Sequence, residues 1–163
     1  MRDAAGESRW DLPEPFVHAL TVRADDIDAY DHVNNAVYVA WFDAAAWAHA
    51  AAVGMSLAAC LELGYGMAVV RTRVEYLAAA TLADPVEVAT WITMPPAGLR
   101  SRRRFQVRHA ATLRTLARAE IEYVCIKLAS GRPARMPKEF LACYVLRPAV
   151  AAAHAVADEH APT

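Results

Sequence analysis

A change of hydrophobic period divides this chain and constrains its fold more than any other feature. Between Asn35 and Val53, apolar residues recur every three or four positions and alanine fills most of the others, a pattern typical of one long helix with a smooth face. After Gly66 the period falls to two, as in strands that bury one face. A short β-rich segment begins near Phe16. This order predicts an α+β domain in which an antiparallel sheet curls over one helix.

Turn residues and prolines separate the later elements. Ser56 is expected to cap a second short helix that ends at Leu63, before a glycine that breaks it. In the strand that follows, one face is expected to meet a core. Strands after Gly66 are predicted over residues 68–76, 84–93, 99–109 and 115–128.

The ends of the chain lack a clear period. Phe140 to Leu146 is expected to form a last edge strand, which gives a sheet of five or six strands. Residues 1–15 are predicted to be a flexible lead with one anchor at Trp10, and residues 148–163 a frayed helix or tail. The 163 residues therefore contain one predicted domain, over residues 16–147.

Composition excludes several classes of protein. A formal net charge of −1 gives no overall field for nucleic acid, and no apolar run approaches the roughly 20 residues of a membrane-spanning helix. The first residues lack the apolar core of a secretory signal, so a cytoplasmic location is expected. The three cysteines are far apart and predict neither disulfides nor a metal site, and no glycine-rich phosphate loop or zinc-hydrolase motif is present.

The densest cluster of reactive side chains lies in residues 25–38, between the first strand and the long helix. Aspartate and asparagine before a helix are capping residues first, and Asp31 or Asn34 as the N-cap would explain part of this composition. A helix that begins near Asn35 also presents unpaired N–H groups and the positive end of its dipole. Asp28, six or seven residues upstream, can fold back towards that end.

The cluster resembles the loop of the hotdog-fold acyl thioesterases, in both the 4-hydroxybenzoyl-CoA and the acyl-carrier-protein branches. The pattern Asp-x-Asp-x-x-x-His-Val-Asn-Asn-x-x-Tyr is carried by Asp26, Asp28, His32, Val33, Asn34, Asn35 and Tyr38. The resemblance implies a hotdog fold, with the curled sheet around one long helix, and thioester hydrolysis. It also implies Asp28 as nucleophile or general base and a polarising amide near Asn35. His32 and Asn34 would orient the loop, and Tyr38 would contact the substrate.

Thioester chemistry needs few groups, because a thiolate leaves with little acid assistance. One carboxylate and a few amides are enough. This chain departs from many relatives at Tyr30-Asp31, where they carry glycine or asparagine near the catalytic acid. A second carboxylate at Asp31 would raise the pKa of Asp28 if the two came close, which would favour a base over a nucleophile.

A basic segment forms part of one predicted strand. Alternation puts Arg103 on the side of Phe105 and Val107, whereas the other arginines project from the opposite side. Guanidinium groups suit phosphate oxygens, so this side is a candidate site for the nucleotide end of coenzyme A. A solvated strand face is the commoner explanation. The candidate residues are Arg100, Arg102, Arg104 and Arg108, with Arg135 and Lys138 from the later loop.

The expected function is therefore hydrolysis of an acyl-CoA thioester by a homodimer or tetramer. No metal or other cofactor is needed, since coenzyme A is part of the substrate, and no nucleic acid or membrane partner is expected. One alternative is an acyl-carrier-protein thioesterase that releases a biosynthetic product, and another is a non-catalytic acyl-thioester-binding protein. A dehydratase on the same scaffold would need a catalytic histidine in a motif of its own.

Overall fold

The computed structural model describes residues 10–94 and 97–159, and its first seven helices and strands follow the predicted order. A 3-10 turn at Ala24–Asp26 lies between the first strand and the long helix. The elements are β1 (Phe16–Thr21), α1 (Asn35–Ala52), α2 (Leu57–Leu63), β2 (Tyr65–Tyr76), β3 (Pro85–Ile92), β4 (Arg100–His109), β5 (Thr115–Lys127), α3 (Lys138–Cys143) and α4 (Pro148–Glu159).

The five strands form one antiparallel sheet in the order β1-β3-β4-β5-β2. The predicted α+β class with a five-strand sheet is thereby confirmed. β1 and β2 are the two edges, although β2 is one of the longest strands. A register shift between Val69 and Arg71 interrupts its pairing with β5, as a β-bulge does.

Helix α1 packs its apolar stripe on the inner face of the sheet. Trp41, Phe42 and Ala45 are buried at spacings of one and three residues, and the Phe42 ring lies 5.2 Å from that of Phe105 on β4. Phe42 is fully buried, which contributes about 1.5–3 kcal/mol relative to an exposed side chain. The alanines beside it let the helix approach the sheet closely.

Part of the outer face of the sheet, at β3, is covered by both ends of the described chain. Leu12 from the segment before β1 and Val150 from α4 form one buried cluster with Trp91 of β3. The Trp91 indole donates to the Pro13 carbonyl at 2.8 Å. Trp10 is thus an anchor, as predicted, and the residues after it also contact the sheet. The rest of the predicted flexible lead, residues 1–9, lies outside the described residues.

The prediction of a strand over Phe140 to Leu146 is wrong, because this segment contains α3. Phe140 and Tyr144 are four residues apart, and both are buried in one cluster beside α1 and α2. That spacing is helical rather than strand-like. Pro137 occupies the N-cap position, and its missing N–H costs nothing there.

Strand β2 buries less of its surface than its alternating pattern predicts. Val74 packs on the main core, but Val69, Val70 and Tyr76 are between 44% and 52% exposed. An edge strand that bends away at a bulge loses contact with the helix layer. The prediction that one face of this strand packs on a core therefore holds for only part of its length.

No single helix among the described residues is long and apolar enough to cross a bilayer; α1 and α2 together reach that length and composition, with a 72° bend between them.

Candidate active site

The acidic loop before α1 is closed by its own backbone. Ile27 and Val33 form an antiparallel bridge, the Asp28 N–H donates to the His32 carbonyl at 2.8 Å, and the Asp31 N–H donates to the Asp28 carbonyl at 3.1 Å. Val33 also donates to the Ala80 carbonyl at 2.9 Å and is buried. The loop is therefore fixed to the core at one residue, while its tip faces solvent.

Asp31 adopts a left-handed backbone conformation with φ +60°. Aspartate is one of the few residues with a side chain that tolerates this region. Asp31 thus occupies the turn that the sequence resemblance assigns to a small residue. The loop keeps its path without glycine, and an exposed second carboxylate lies three residues after Asp28.

The Asp28 carboxylate is half-buried, and one of its oxygens accepts the Tyr30 N–H at 2.8 Å. This is an Asx turn, which holds the carboxylate against the loop. The other oxygen has no hydrogen-bond partner among the described residues. One oxygen thus fixes the position of Asp28, and the other is available to a water molecule or a substrate.

The start of α1 is capped by Asn34, whose side-chain oxygen accepts the Ala36 N–H at 2.9 Å. The Val37 N–H donates to the Asn34 carbonyl at 2.9 Å. The Asn35 N–H has no partner among the described residues. Asn34 therefore acts as the cap, one of the two readings that the sequence allowed, and Asn35 carries the amide that remains free in the first turn.

Two tyrosines, Tyr38 of α1 and Tyr76 of β2, support the start of this helix. The Tyr76 hydroxyl donates to the Asn35 carbonyl at 2.9 Å, and its ring packs edge-on against Tyr38 at 5.4 Å. Tyr38 is only 2% exposed, and burial raises the pKa of its hydroxyl. In the single chain, Tyr38 therefore supports α1 from within the core. The His32 side chain, by contrast, is exposed, and its carbonyl makes the loop hydrogen bond.

The predicted arginine surface lies on the face of the sheet away from α1. Arg100 and Arg102 approach Glu122 at 3.8 Å and 3.6 Å, and Arg108 pairs with Glu87 at 2.7 Å. Arg104 lines a shallow cavity of about 150 Å³ with Glu120 and other charged residues. Lys138 is exposed at the start of α3. Most of these arginines are therefore partly neutralised by acids on neighbouring strands.

A cavity of about 70 Å³ lies between α1 and the inner face of the sheet, beside β2. Arg103 lines it and is 5% exposed. Its guanidinium group lies 2.8 Å from Nδ1 of His49 and above the ring of Tyr144, 5.5 Å from the centroid. The sequence predicted that Arg103 points inward, but it gave no sign of the cavity or of His49. The full lining is Asp43, Ala46, Trp47, Ala50, Cys60, Met67, Val69, Ser101, Arg103, Tyr123 and Tyr144.

Within the described residues, no group of three or more histidine, cysteine or acidic side chains could hold a metal ion.

Solved structures share this fold. A 1,4-dihydroxy-2-naphthoyl-CoA thioesterase from Synechocystis is 21% identical, with a TM-score of 0.73 over 80% of this chain and 96% of that one. A Staphylococcus aureus protein crystallised with CoA is 20% identical, with a TM-score of 0.72 over 96% and 91%. The dynemicin thioesterase is 23% identical, with a TM-score of 0.72 over 82% of this chain and 99% of that one. These likenesses establish the hotdog fold.

Fold and loop together define a hotdog protein of the thioester hydrolase class. Residues 22–143 match the family model described as the thioesterase-like superfamily, and the chain belongs to that superfamily. No curated protein matches the sequence significantly.

Proposed function

We propose that this protein is an acyl-CoA thioesterase in which Asp28 is the nucleophile or general base. The observation that carries the proposal is that two groups in adjacent segments, the acidic loop and the start of α1, have no partner among the described residues. One is the second oxygen of the Asp28 carboxylate, and the other is the Asn35 N–H. A carboxylate supplies the attacking group, and a helix-terminal amide stabilises the oxyanion that follows.

The chemistry needs only these groups and water. As general base, Asp28 takes a proton from water while the water oxygen attacks the thioester carbonyl carbon. The carbonyl oxygen becomes an oxyanion beside the Asn35 amide and the positive end of α1. The C–S bond then breaks and the thiolate of CoA leaves. As nucleophile, Asp28 would instead form a mixed anhydride that water hydrolyses. We propose that no metal or other cofactor takes part.

A thiol-release assay over short, long and aromatic acyl-CoA substrates tests this assignment. Asp28→Asn keeps the shape of the side chain and its Asx turn but removes the charge. We expect kcat/KM on the best substrate to fall by about 10²–10⁴-fold. Asp25→Asn is the matched control, because Asp25 is an exposed carboxylate in the preceding turn, and we expect it to leave the rate unchanged. Full activity of Asp28→Asn would refute the assignment.

The alternative is a thioesterase that acts on an acyl carrier protein. The ion pairs of Arg100, Arg102 and Arg108 favour it, because guanidinium groups already bound to glutamates are less available to the phosphates of CoA. If these arginines, with Arg104 and Lys138, do bind the phosphates of CoA, the CoA ester should instead be the better substrate. A carrier-bound acyl group that turns over much faster than its CoA ester would support the alternative. Binding without turnover, unaffected by Asp28→Asn, would instead identify a non-catalytic protein.

We further propose a homodimer that forms through the β2 edge. Exposed Val69, Val70 and Tyr76 lie along an unpaired strand edge, which is a template for another strand. In light scattering, we expect wild type at twice the monomer mass and Val70→Lys/Thr72→Lys at the monomer mass. Val17→Lys/Ala19→Lys on the opposite edge is the matched control and should stay dimeric. Equal masses for the two variants would exclude this interface.

A further inference from the structure

Arg103 carries a buried positive charge without an ion-pair partner among the described residues. No carboxylate among the described residues lies within 4 Å of its guanidinium group, although the preceding Arg102 lies 3.9 Å from Glu120 and 3.6 Å from Glu122. Within the described part of the chain, its side chain makes one hydrogen bond, to His49. A buried charge without a partner is costly, and proteins retain one where a ligand or a reaction uses it.

The neighbours of Arg103 make the cavity rich in hydrogen-bond donors. Burial raises the pKa of both Tyr123 and Tyr144 to about 12, so these hydroxyls stay protonated at neutral pH. Burial lowers the pKa of His49 to about 4, with further contributions from Arg103 and Arg147, so its ring is neutral. Asp43 also lines the cavity, but its side chain is exposed. Among the described residues that line the cavity, Asp43 is the one acid, and it makes no ion pair with Arg103, so the guanidinium group is available to bind an anion.

The size of the cavity indicates what part of a ligand it can hold. One water molecule takes about 30 Å³ in the liquid, so about 70 Å³ accommodates a carboxylate with one or two carbon atoms. Apolar Trp47, Met67 and Val69 line the side towards β2. This combination suits the far end of an acyl chain that enters past apolar side chains.

We propose that Arg103 determines substrate specificity by binding a carboxylate at the far end of the acyl group, so that the preferred substrates are thioesters of dicarboxylic acids. The proposal rests on the proposed thioesterase function, because it concerns the acyl group of that reaction. Arg103 binds the remote carboxylate and takes no part in the chemical step.

The proposed dimer brings this cavity near a reacting centre. Within one chain, Asn35 and His49 are 14 residues apart on α1, or about 21 Å at 1.5 Å per residue. Full antiparallel overlap of two β2 strands would instead place Tyr65 opposite Tyr76 of the partner subunit. Because Tyr76 bonds the Asn35 carbonyl, the helix start of one copy would lie close to the cavity of the other. A short diacid can then span both.

Matched acyl-CoA pairs test the preference. We compare succinyl, glutaryl and adipoyl thioesters with butyryl, valeryl and hexanoyl thioesters. At the best chain length, we expect wild type to favour the dicarboxylic member at least tenfold in kcat/KM. Arg103→Met should abolish this preference, Arg103→Lys should keep part of it, and Arg114→Met, at an exposed turn, should keep all of it. A preference for the neutral member, or one that survives Arg103→Met, overturns the proposal.

Thermal stability gives a readout that is independent of turnover. Free glutarate or adipate should raise the melting temperature of wild type and of Arg114→Met but not that of Arg103→Met. Arg103→Met alone should melt no lower than wild type, because it removes an uncompensated buried charge. A lower melting temperature, with no effect of diacid on wild type, would make Arg103 a purely structural residue. Diacid binding without hydrolysis would refute the proposed function alone, and hydrolysis without carboxylate preference would refute this proposal alone.

Discussion

At the scale of single residues, the conformation of Asp31 decides whether the acidic loop can close. Its φ of +60° costs a side chain with a branched β-carbon about 1–2 kcal/mol or more. We therefore expect Asp31→Val to lower the free energy of unfolding by that amount, and Asp31→Gly to change it by less than about 1 kcal/mol. Urea unfolding measures both. If Asp31→Val is as stable as Asp31→Gly, the left-handed turn is not maintained in solution.

His49 should make stability depend on pH in a defined direction. Its pKa is about 4 in the folded chain, against an ordinary value of 6.5, so the unfolded chain binds the proton first as the pH falls. The stabilisation from neutral His49 is complete above pH 6.5 and is lost between there and about pH 4. His49→Asn keeps an acceptor for Arg103 and cannot titrate. Its unfolding free energy should fall less steeply than that of wild type over this window.

Urea unfolding at a series of pH values measures the two slopes. His32→Asn, at an exposed side chain in the acidic loop, is the parallel control and should follow wild type. If His49→Asn and wild type lose stability at the same rate, the buried ring does not contribute to the pH dependence.

At the scale of elements, Gly64 connects α2 to the edge strand. It ends the helix with φ +74° and donates to the Cys60 carbonyl at 2.9 Å. A β-carbon at this position would meet no atom within 4 Å, so the cost of Gly64→Ala is conformational alone. We expect about 1 kcal/mol of destabilisation for Gly64→Ala and less for Gly64→Asn, which tolerates the left-handed region. Thermal unfolding of the two variants checks the order.

Capping residues and hydrophobic periodicity predicted those elements in which both signals are clear. Ser56 caps α2 as predicted, because its hydroxyl accepts the Ala59 N–H, and α1 begins at Asn35 as predicted. Phe140 to Leu146 was ambiguous because a short apolar run fits either period. The segment is helical because Phe140 and Tyr144 both pack into the buried cluster beside α1 and α2.

The candidate site likewise has one part that local sequence predicts and one part that only tertiary packing creates. The acidic loop is contiguous in sequence, so its residues and their proximity to the helix start could be predicted from the spacing of Asp28 and Asn35. The cavity around Arg103 joins residues from α1, α2, β2, β4 and β5 with Tyr144, which follows α3. Only the pairing of strands and the packing of α1 bring Arg103 and His49 together. Alternation indicated the inward direction of Arg103, but no local pattern indicates which helix residue it meets.

At the scale of the whole molecule, the part of the outer face of the sheet at β3 is covered by the segment before β1 and by α4. The segment before β1 is held by Asp11, whose carboxylate accepts two bonds from Arg118 at 2.6 Å and 2.9 Å. α4 contributes Val150, which is 2% exposed against Leu12 and Trp91. While this cover is in place, Trp91 is not available to a second sheet.

Val150→Asp should open that cover. A carboxylate at this buried position would lie among apolar side chains, so α4 should detach rather than bury the charge. We expect a large drop in melting temperature and, in light scattering, species heavier than the dimer as Trp91 becomes exposed. Ala149→Asp is the matched control, because Ala149 is exposed in the first turn of α4, where a negative charge is favourable. If both variants keep wild-type mass and stability, α4 does not protect the sheet.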